Sequence, residues 1–425
     1  MKLPPHLLDE IIHSLGEVFS GRRYADKVIE HAFKRHRKWG SRDRRLFAES
    51  IYECVRWWRW YWFLAGLPDA EHADQESINP ERLYRVWAAY WIITGRELPR
   101  DENAPEIRPG DVLKRAKQEV PAAIRAAIPD WLEQRGTQEL GVKWPALREA
   151  LNQPADVFLR VNTLKGDRRS LREALGQEGF ETEAVQDVPS ALRLKQRANT
   201  FGSKAFKGGL FEVQDAASQL IAPFLQPEPG QRVIDACAGG GGKALHIAAI
   251  MRNKGRILAL DVHAWKLAEL RKRASRAGVD IIEAREIDGS KTVKRLAKTA
   301  DRVLLDVPCS GLGVLRRNPD AKWKLTSAEV DRLNALQAEI LESYSRMVAP
   351  GGKLVYATCS ILPSENEQQV QAFLAKHGAE WTLEEELHRT PERGAFDGFY
   401  AARLCRNAVP VEGAEVPGAA GEGVS

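Results

Sequence analysis

Residues 231–251 read QRVIDACAGGGGKALHIAAIM. The apolar run RVID has the composition of a buried strand. The bunched glycines read as a sharp turn, and KALHIAAIM as a helix opening directly out of it. The same strand, turn and helix order recurs downstream. GRILALDVH is a strand and WKLAELRKRASRAG its helix. IIEAREIDG and DRVLLDVPCSG are further strands, LNALQAEILESYSRMVAPGG is a helix closed by Pro-Gly-Gly, and KLVYATCSI is another strand. Alternating β and α units imply a doubly wound α/β sheet of Rossmann-like form, with a ligand crevice at the C-terminal ends of its strands.

The glycine turn discriminates between ligands. A phosphate-binding P-loop requires glycine six residues before its lysine and a Ser or Thr after it. Here Cys237 stands six residues before Lys243, and Ala244 follows it. The spaced glycines of a dinucleotide fingerprint are also missing, which disfavours a dehydrogenase. A nucleoside-sulfonium cofactor needs only a glycine turn for its amino-acid end and an acid for its ribose. The segment Cys237, Ala238, Gly239, Gly240, Gly241, Gly242 and Lys243 supplies the turn. Asp261 ends the next strand, about 20 residues on, where a carboxylate can accept ribose hydroxyls. Asp288 ends the third strand, where an adenine would lie, and Asp306 ends the fourth. One acid at a strand end is usually a cap or turn former; three in successive units indicate a binding crevice.

Upstream, residues 1–140 read as an all-helical module. Leu7, Leu8, Ile11, Ile12, Leu15 and Val18 form an apolar stripe, and LFAESIYECVRWWRWYWFLAG reads as one long helix. Residues 34–45, KRHRKWGSRDRR, hold seven Lys or Arg against one Asp. Lys34, Arg35, Arg37 and Lys38 are candidate phosphate contacts, with a solvated face as the alternative. The adjoining aromatic run reads first as a helical core and second as a base-stacking surface. Residues 150–215 form a small α+β segment, 216–406 the Rossmann-like domain, and the Gly- and Ala-rich residues 407–425 a disordered tail.

Composition narrows the classes. Apolar residues make up 44% and charged residues 28%, with a net charge of +5. No apolar run approaches the ~20 residues of a membrane span. The five cysteines are widely spaced and form no CxxC pair, so neither a zinc site nor a disulfide framework is expected. Reduced thiols, a cytoplasmic location and a monomer without metal are the expectations.

Two of those thiols occupy corresponding places. Cys309 lies in Asp306-Val307-Pro308-Cys309-Ser310-Gly311, and Cys359 in Ala357-Thr358-Cys359-Ser360. Both follow apolar strands and should reach the same crevice. Either alone reads as a small buried hydrophobe. Together, beside a methyl-donor site, they suit methylation at C5 of a pyrimidine. That carbon is a poor nucleophile until a thiolate adds to C6, and Asp306 is placed to hydrogen-bond the ring nitrogen N3.

DACAGGGGK, ALDVHAWKL, EIDGS, LLDVPCSGLGVLRRNPDAKW and LVYATCSILPSENE resemble the successive motifs of the RNA 5-methylcytosine methyltransferases, the ribosomal-RNA cytosine-C5 and Nop2/Sun group. RVNTLK, FEVQDAASQL and DGFYAARLCR extend the resemblance from about Phe158 to Arg406. It implies a class I methyltransferase domain that uses S-adenosyl-L-methionine, with Cys359 as nucleophile and Cys309 assisting product release. It implies cofactor contacts at Cys237 to Lys243, Asp261, Asp288 and Asp306, and places Asn162 and Lys165 on the RNA side. The family usually has proline where Gly240 stands. The N-terminal helices, through Asp43, Arg44 and Arg56, resemble the NusB-like RNA-binding module of bacterial ribosomal-RNA members. Ribosomal RNA is therefore the expected substrate. Transfer RNA, uracil C5 methylation and a non-catalytic RNA-binding assembly factor are the alternatives.

Overall fold

The computed structural model describes residues 4–99, 104–287, 289–391 and 396–408. A seven-stranded sheet organises the C-terminal half. It comprises β5 (Arg232–Asp235), β6 (Arg256–Asp261), β7 (Ile282–Glu286), β8 (Ala300–Asp306), β9 (Val348–Thr358), β10 (Trp381–Arg389) and β11 (Phe399–Arg406). Their spatial order is β10-β11-β9-β8-β5-β6-β7. The five strands β5 to β9 are parallel, and the β10–β11 hairpin closes the sheet antiparallel to β9. Chain order runs outward from β5 through β6 to β7, then restarts at β8 on the other flank. The switch point therefore lies between β5 and β8, where an open parallel sheet leaves a crevice.

A second, antiparallel sheet of β1 (Phe158–Val161), β2 (Thr182–Ala184), β3 (Ala191–Leu194) and β4 (Phe211–Val213) precedes it, in the order β2-β3-β1-β4. The N-terminal helices pack Leu7, Ile11, Leu15, Phe47, Ile51, Trp58, Trp62, Trp87 and Trp91 into one core. The helices Asp130–Leu140 and Trp144–Leu151 join a different core. Their Leu132, Trp144, Leu147 and Leu151 pack with Leu312, Leu315, Val330 and Leu362 of the C-terminal half.

Four features depart from the reading of the sequence. The aromatic helix is two: Ser41–Arg56 ends, Trp57 turns at φ −108° and ψ 26°, and Trp58–Leu64 follows. The helix at Ser327–Tyr344 ends before Pro-Gly-Gly, and β9 already begins at Val348. Its register against β8 shifts between Ala300 and Arg302, beside Gly351 at φ +77°, so the glycines form a bulge inside the strand. The β10 strand carries three consecutive exposed glutamates, Glu384 to Glu386, with no alternating apolar face, and the sequence pattern does not announce it. Of the tail expected at 407–425, Asn407 is instead tied down, donating to the Glu380 and Ala379 carbonyls and accepting from Thr382, because β11 carries the chain alongside β10; residues from 409 lie outside the described residues.

Among the described residues no helix is long and apolar enough to cross a membrane.

Candidate active site

The glycine turn follows β5 and caps the helix Gly242–Ile250. Gly239 and Gly241 sit at φ +54° and +81°, in the left-handed region. At Gly241 a Cβ would also fall 2.4 Å from Leu270 Cγ. A Cβ at Gly239, by contrast, would point into open space. Asp261, at the end of β6, accepts the Gly239 N–H at 2.9 Å and the His263 N–H at 2.9 Å. The acid expected from its spacing thus shapes the turn while each oxygen keeps a free lone pair.

Two arginines hold the turn from behind. Arg273 donates to the Gly240 carbonyl at 2.7 Å and pairs with Glu212 at 2.9 Å. Arg160, from β1, donates to the Gly242 carbonyl and to Gln214. It is 3% exposed, and burial lowers its guanidinium to about 9. Neither arginine was singled out from the sequence, because only the fold brings β1 and the helix Ala264–Ala277 under the turn.

The end of β8 supplies Asp306, which accepts a hydrogen bond from Lys243 Nζ at 2.6 Å. Burial alone would depress the lysine, but the Asp306 carboxylate and its hydrogen bond push it up, so it holds its charge. Its ammonium lies 5.4 Å from the Phe399 ring centre. Behind this pair lies Asp235, 1% exposed, with no side chain donating to either carboxylate oxygen. Burial and the Asp306 charge raise it to about 7. Burial, then the charges of Asp235, Asp306 and Asp261, pushes the Cys237 thiol up, so it lines the turn as a neutral group.

The two cysteines singled out at strand ends come together. Cys309 Sγ and Cys359 Sγ are 3.4 Å apart, one following β8 and the other β9. The hydrogen bond to Cys359, then burial and the charges of Cys359 and Glu365, keeps the Cys309 thiol protonated well above its usual range. Lys243 is near enough to feel the Cys359 charge. Glycine turn, Asp306–Lys243 pair and dithiol therefore share one crevice. Asp288 lies outside the described residues.

The expected RNA contacts divide. Asn162 is 7% exposed, and its Nδ2 donates to the Gly209 and Ala277 carbonyls, each at 2.8 Å. Both amide hydrogens are used, so it is an internal clamp and not a surface contact. Lys165 Nζ reaches the Gly208 and Arg276 carbonyls, each at 2.8 Å, and clamps the same segments. Lys34 pairs with Glu30 at 2.7 Å, and Arg35 pairs with Glu10. Arg37, Lys38, Arg42 and Arg45 are exposed and form no ion pair among the described residues. The aromatic run is core: Trp58, Trp60, Tyr61 and Trp62 are buried.

Comparison with known proteins agrees with this arrangement. The family model of the 16S rRNA methyltransferase RsmB/F matches residues 222–405, and that of the RsmF/B-like ferredoxin-like domain matches 128–200. The chain is 35% identical to the probable ribosomal RNA small subunit methyltransferase B of Synechocystis sp., over 90% of this chain and 95% of that one. It is 38% identical to ribosomal RNA small subunit methyltransferase B of Klebsiella pneumoniae, over 65% of this chain and 66% of that one. The crystal structure of the protein PH0851 superposes with a TM-score of 0.79 at 26% identity, covering 95% of this chain and 99% of that one. A methyltransferase homolog protein from Pyrococcus horikoshii superposes at 0.60 with 27% identity, covering 67% and 97%. A fold of this class, a glycine turn beside strand-end acids, and a relative matched along nearly its full length all agree: the chain belongs to the RsmB/F family of 16S rRNA methyltransferases.

Proposed function

We propose that this chain methylates C5 of a cytosine in small-subunit ribosomal RNA, as a cytoplasmic monomer, with Cys359 as covalent nucleophile. The observation that carries the reading is the 3.4 Å approach of Cys309 and Cys359 beside the Asp306–Lys243 pair. The ribosomal substrate rests on the names of the relatives.

The crevice fits S-adenosyl-L-methionine. The open space at Gly239, the free lone pairs of Asp261 and the unpartnered carboxylate of Asp235 match the needs of a cationic amino-acid end and a ribose. Cys237 to Lys243 and Asp261 would hold it, with Asp306 closing the floor and Asp288 the further expected contact. When bound there, it supplies an electrophilic methyl carbon on sulfur.

The chain's own residues prepare the base. The Cys359 thiolate adds to C6, forming a C–S bond and moving the ring electrons toward N3 and C5. Asp306 faces the N3 side, where it would act as the carboxylic acid: its proton passes to N3 as Cys359 adds to C6 and returns to Asp306 when the C–S bond breaks. After C5 carries the methyl, its proton must leave before the C–S bond breaks and returns Cys359 as a thiolate. That proton passes to solvent water, and Cys309, the neutral thiol 3.4 Å from Cys359, donates its S–H to the departing thiolate and so assists release of the product.

Bisulfite sequencing of ribosomal RNA tests this reading. A strain lacking the chain should lose one protected cytosine, restored by the wild type and not by Cys359→Ala. An unchanged protection pattern would contradict it.

A further inference from the structure

Between the two cysteine loops lies a carboxylate that the proposed chemistry does not use. Glu365 follows β9 by seven residues, on a short turn, and is 0% exposed. Its Oε1 accepts the Ser310 N–H at 2.7 Å and the Gln337 Nε2–H at 3.0 Å. Its Oε2 accepts the Ser310 hydroxyl at 2.5 Å and the Ser360 hydroxyl. Each hydroxyl in turn accepts a backbone amide, Leu312 at 3.3 Å for Ser310 and Leu362 at 3.1 Å for Ser360. The two hydroxyls also lie 3.3 Å apart, but the shorter contacts of both run to Glu365 Oε2, which is the acceptor shared by the two loops. Four donors and no acceptor surround the carboxylate, which is the environment an ionised acid requires and a neutral amide cannot satisfy.

The two serines are the immediate neighbours of the two cysteines. One carboxylate therefore ties the loop after β8 to the loop after β9, next to the atoms that must approach each other. Tyr356 OH fixes the Glu365 backbone by donating to its carbonyl at 2.7 Å. Gln337, fully buried on the helix Ser327–Tyr344, also donates to the Pro308 carbonyl at 2.9 Å and so braces the first loop from below.

We propose that Glu365 is a positioning residue that clamps Ser310 to Ser360 and thereby sets the separation of Cys309 and Cys359. Its role in catalysis rests on the two-cysteine reading given above; its role in geometry does not. The competing account is that backbone contacts suffice, since the Gly313 N–H also reaches the Cys359 carbonyl at 2.9 Å.

Glu365→Gln is isosteric and turns one acceptor oxygen into a donor facing donors. The test has two readouts on the full chain. The first is methyl transfer, where misplacement of about 1 Å costs ~100-fold in kcat, with S-adenosylmethionine affinity kept within about threefold. The second needs no substrate. Phenylarsine oxide condenses with two close thiols, forming two As–S bonds and releasing water, and mass spectrometry follows its capture. Cys309→Ala and Cys359→Ala identify the pair. Glu365→Gln should slow that capture as well as methylation, and Glu365→Asp should restore part of both. If Glu365→Gln does not fold, the Ser310→Ala/Ser360→Ala double variant carries the test, because it removes both hydroxyl tethers, leaves Glu365 held to the first loop only by the Ser310 N–H, and so breaks the link between the loops while keeping the carboxylate. Wild-type capture and wild-type kcat in the variants would overturn the clamp. If Cys359→Ala still methylates while Glu365→Gln slows capture, the clamp stands and the two-cysteine reading falls.

Discussion

In the helical bundle, Arg59 is 3% exposed and its guanidinium is saturated, with Asp69 at 2.6 Å, Asp130 at 2.7 Å and the Ile128 carbonyl at 2.9 Å. In the crevice, Asp235 is 1% exposed, no side chain donates to either of its oxygens, and its nearest donor is the Cys237 backbone N–H. The cysteines repeat the contrast. Cys54 is sealed among apolar side chains and burial pushes its thiol up, whereas Cys309 and Cys359 touch each other beside charged groups. A buried charge that serves the fold is satisfied within it, since an unpaired one costs several kcal/mol. A buried charge left without side-chain partners at a strand end is a destabilising feature that the fold retains. The difference is what the proposed function requires: a charge kept available in the crevice, and charges used up by the fold in the bundle.

The sharpest way to break this contrast is to damage the turn and not its neighbours. Gly241→Ala places a Cβ at φ +81° and 2.4 Å from Leu270 Cγ. It should cost ~3 kcal/mol of stability and weaken S-adenosylmethionine binding by at least tenfold, read by calorimetry. Gly240→Ala meets only the movable Arg273 Nη1 at 3.2 Å and should stay within ~0.5 kcal/mol. Equal effects would mean that the turn geometry is not what binds.

The unsatisfied carboxylate gives a pH test. Asp235 is raised from 3.8 to about 7, so between those values the native state holds a proton that the unfolded chain has released. Stability therefore falls as pH rises through this window. Asp235→Asn cannot ionise and should flatten that fall. Relative to wild type it should gain on the order of 1–4 kcal/mol between pH 4 and pH 8, followed by melting temperature. A parallel pH profile would show that the carboxylate is satisfied after all.

The smallest effect concerns the bundle. Lys34 and Arg35 are paired with glutamates, whereas Arg37, Lys38, Arg42 and Arg45 are exposed and form no ion pair among the described residues. Neutralising those four should flatten the log–log salt dependence of RNA binding by up to ~0.7 per lost contact. Neutralising Lys34 and Arg35 should change it less. Identical slopes would reduce the whole run to a solvated face.

The catalytic half was legible because its signals are local. A strand, a glycine turn and a strand-end acid each lie within a few consecutive residues, and parallel topology alone carries Cys309 and Cys359 to one edge. Long-range partners were not legible. Nothing in RVNTLK says that Arg160 lies under the turn, or that Asn162 is used internally. Glu365 lay within a quoted motif, yet its function depends on Ser310, 55 positions away. The bundle showed the opposite balance: its helices followed from periodicity, but Trp57 breaks one of them through backbone geometry that no side-chain pattern announces.

The central claim is that Cys359 attacks the base and Cys309 releases it. Each single cysteine variant should be incubated with substrate RNA and cofactor, then run on a denaturing gel. Cys309→Ala should accumulate a shifted, covalent protein–RNA band. Cys359→Ala and the double variant should show neither the band nor methylation. A band formed by Cys359→Ala, or methylation undiminished in either single variant, would contradict the account.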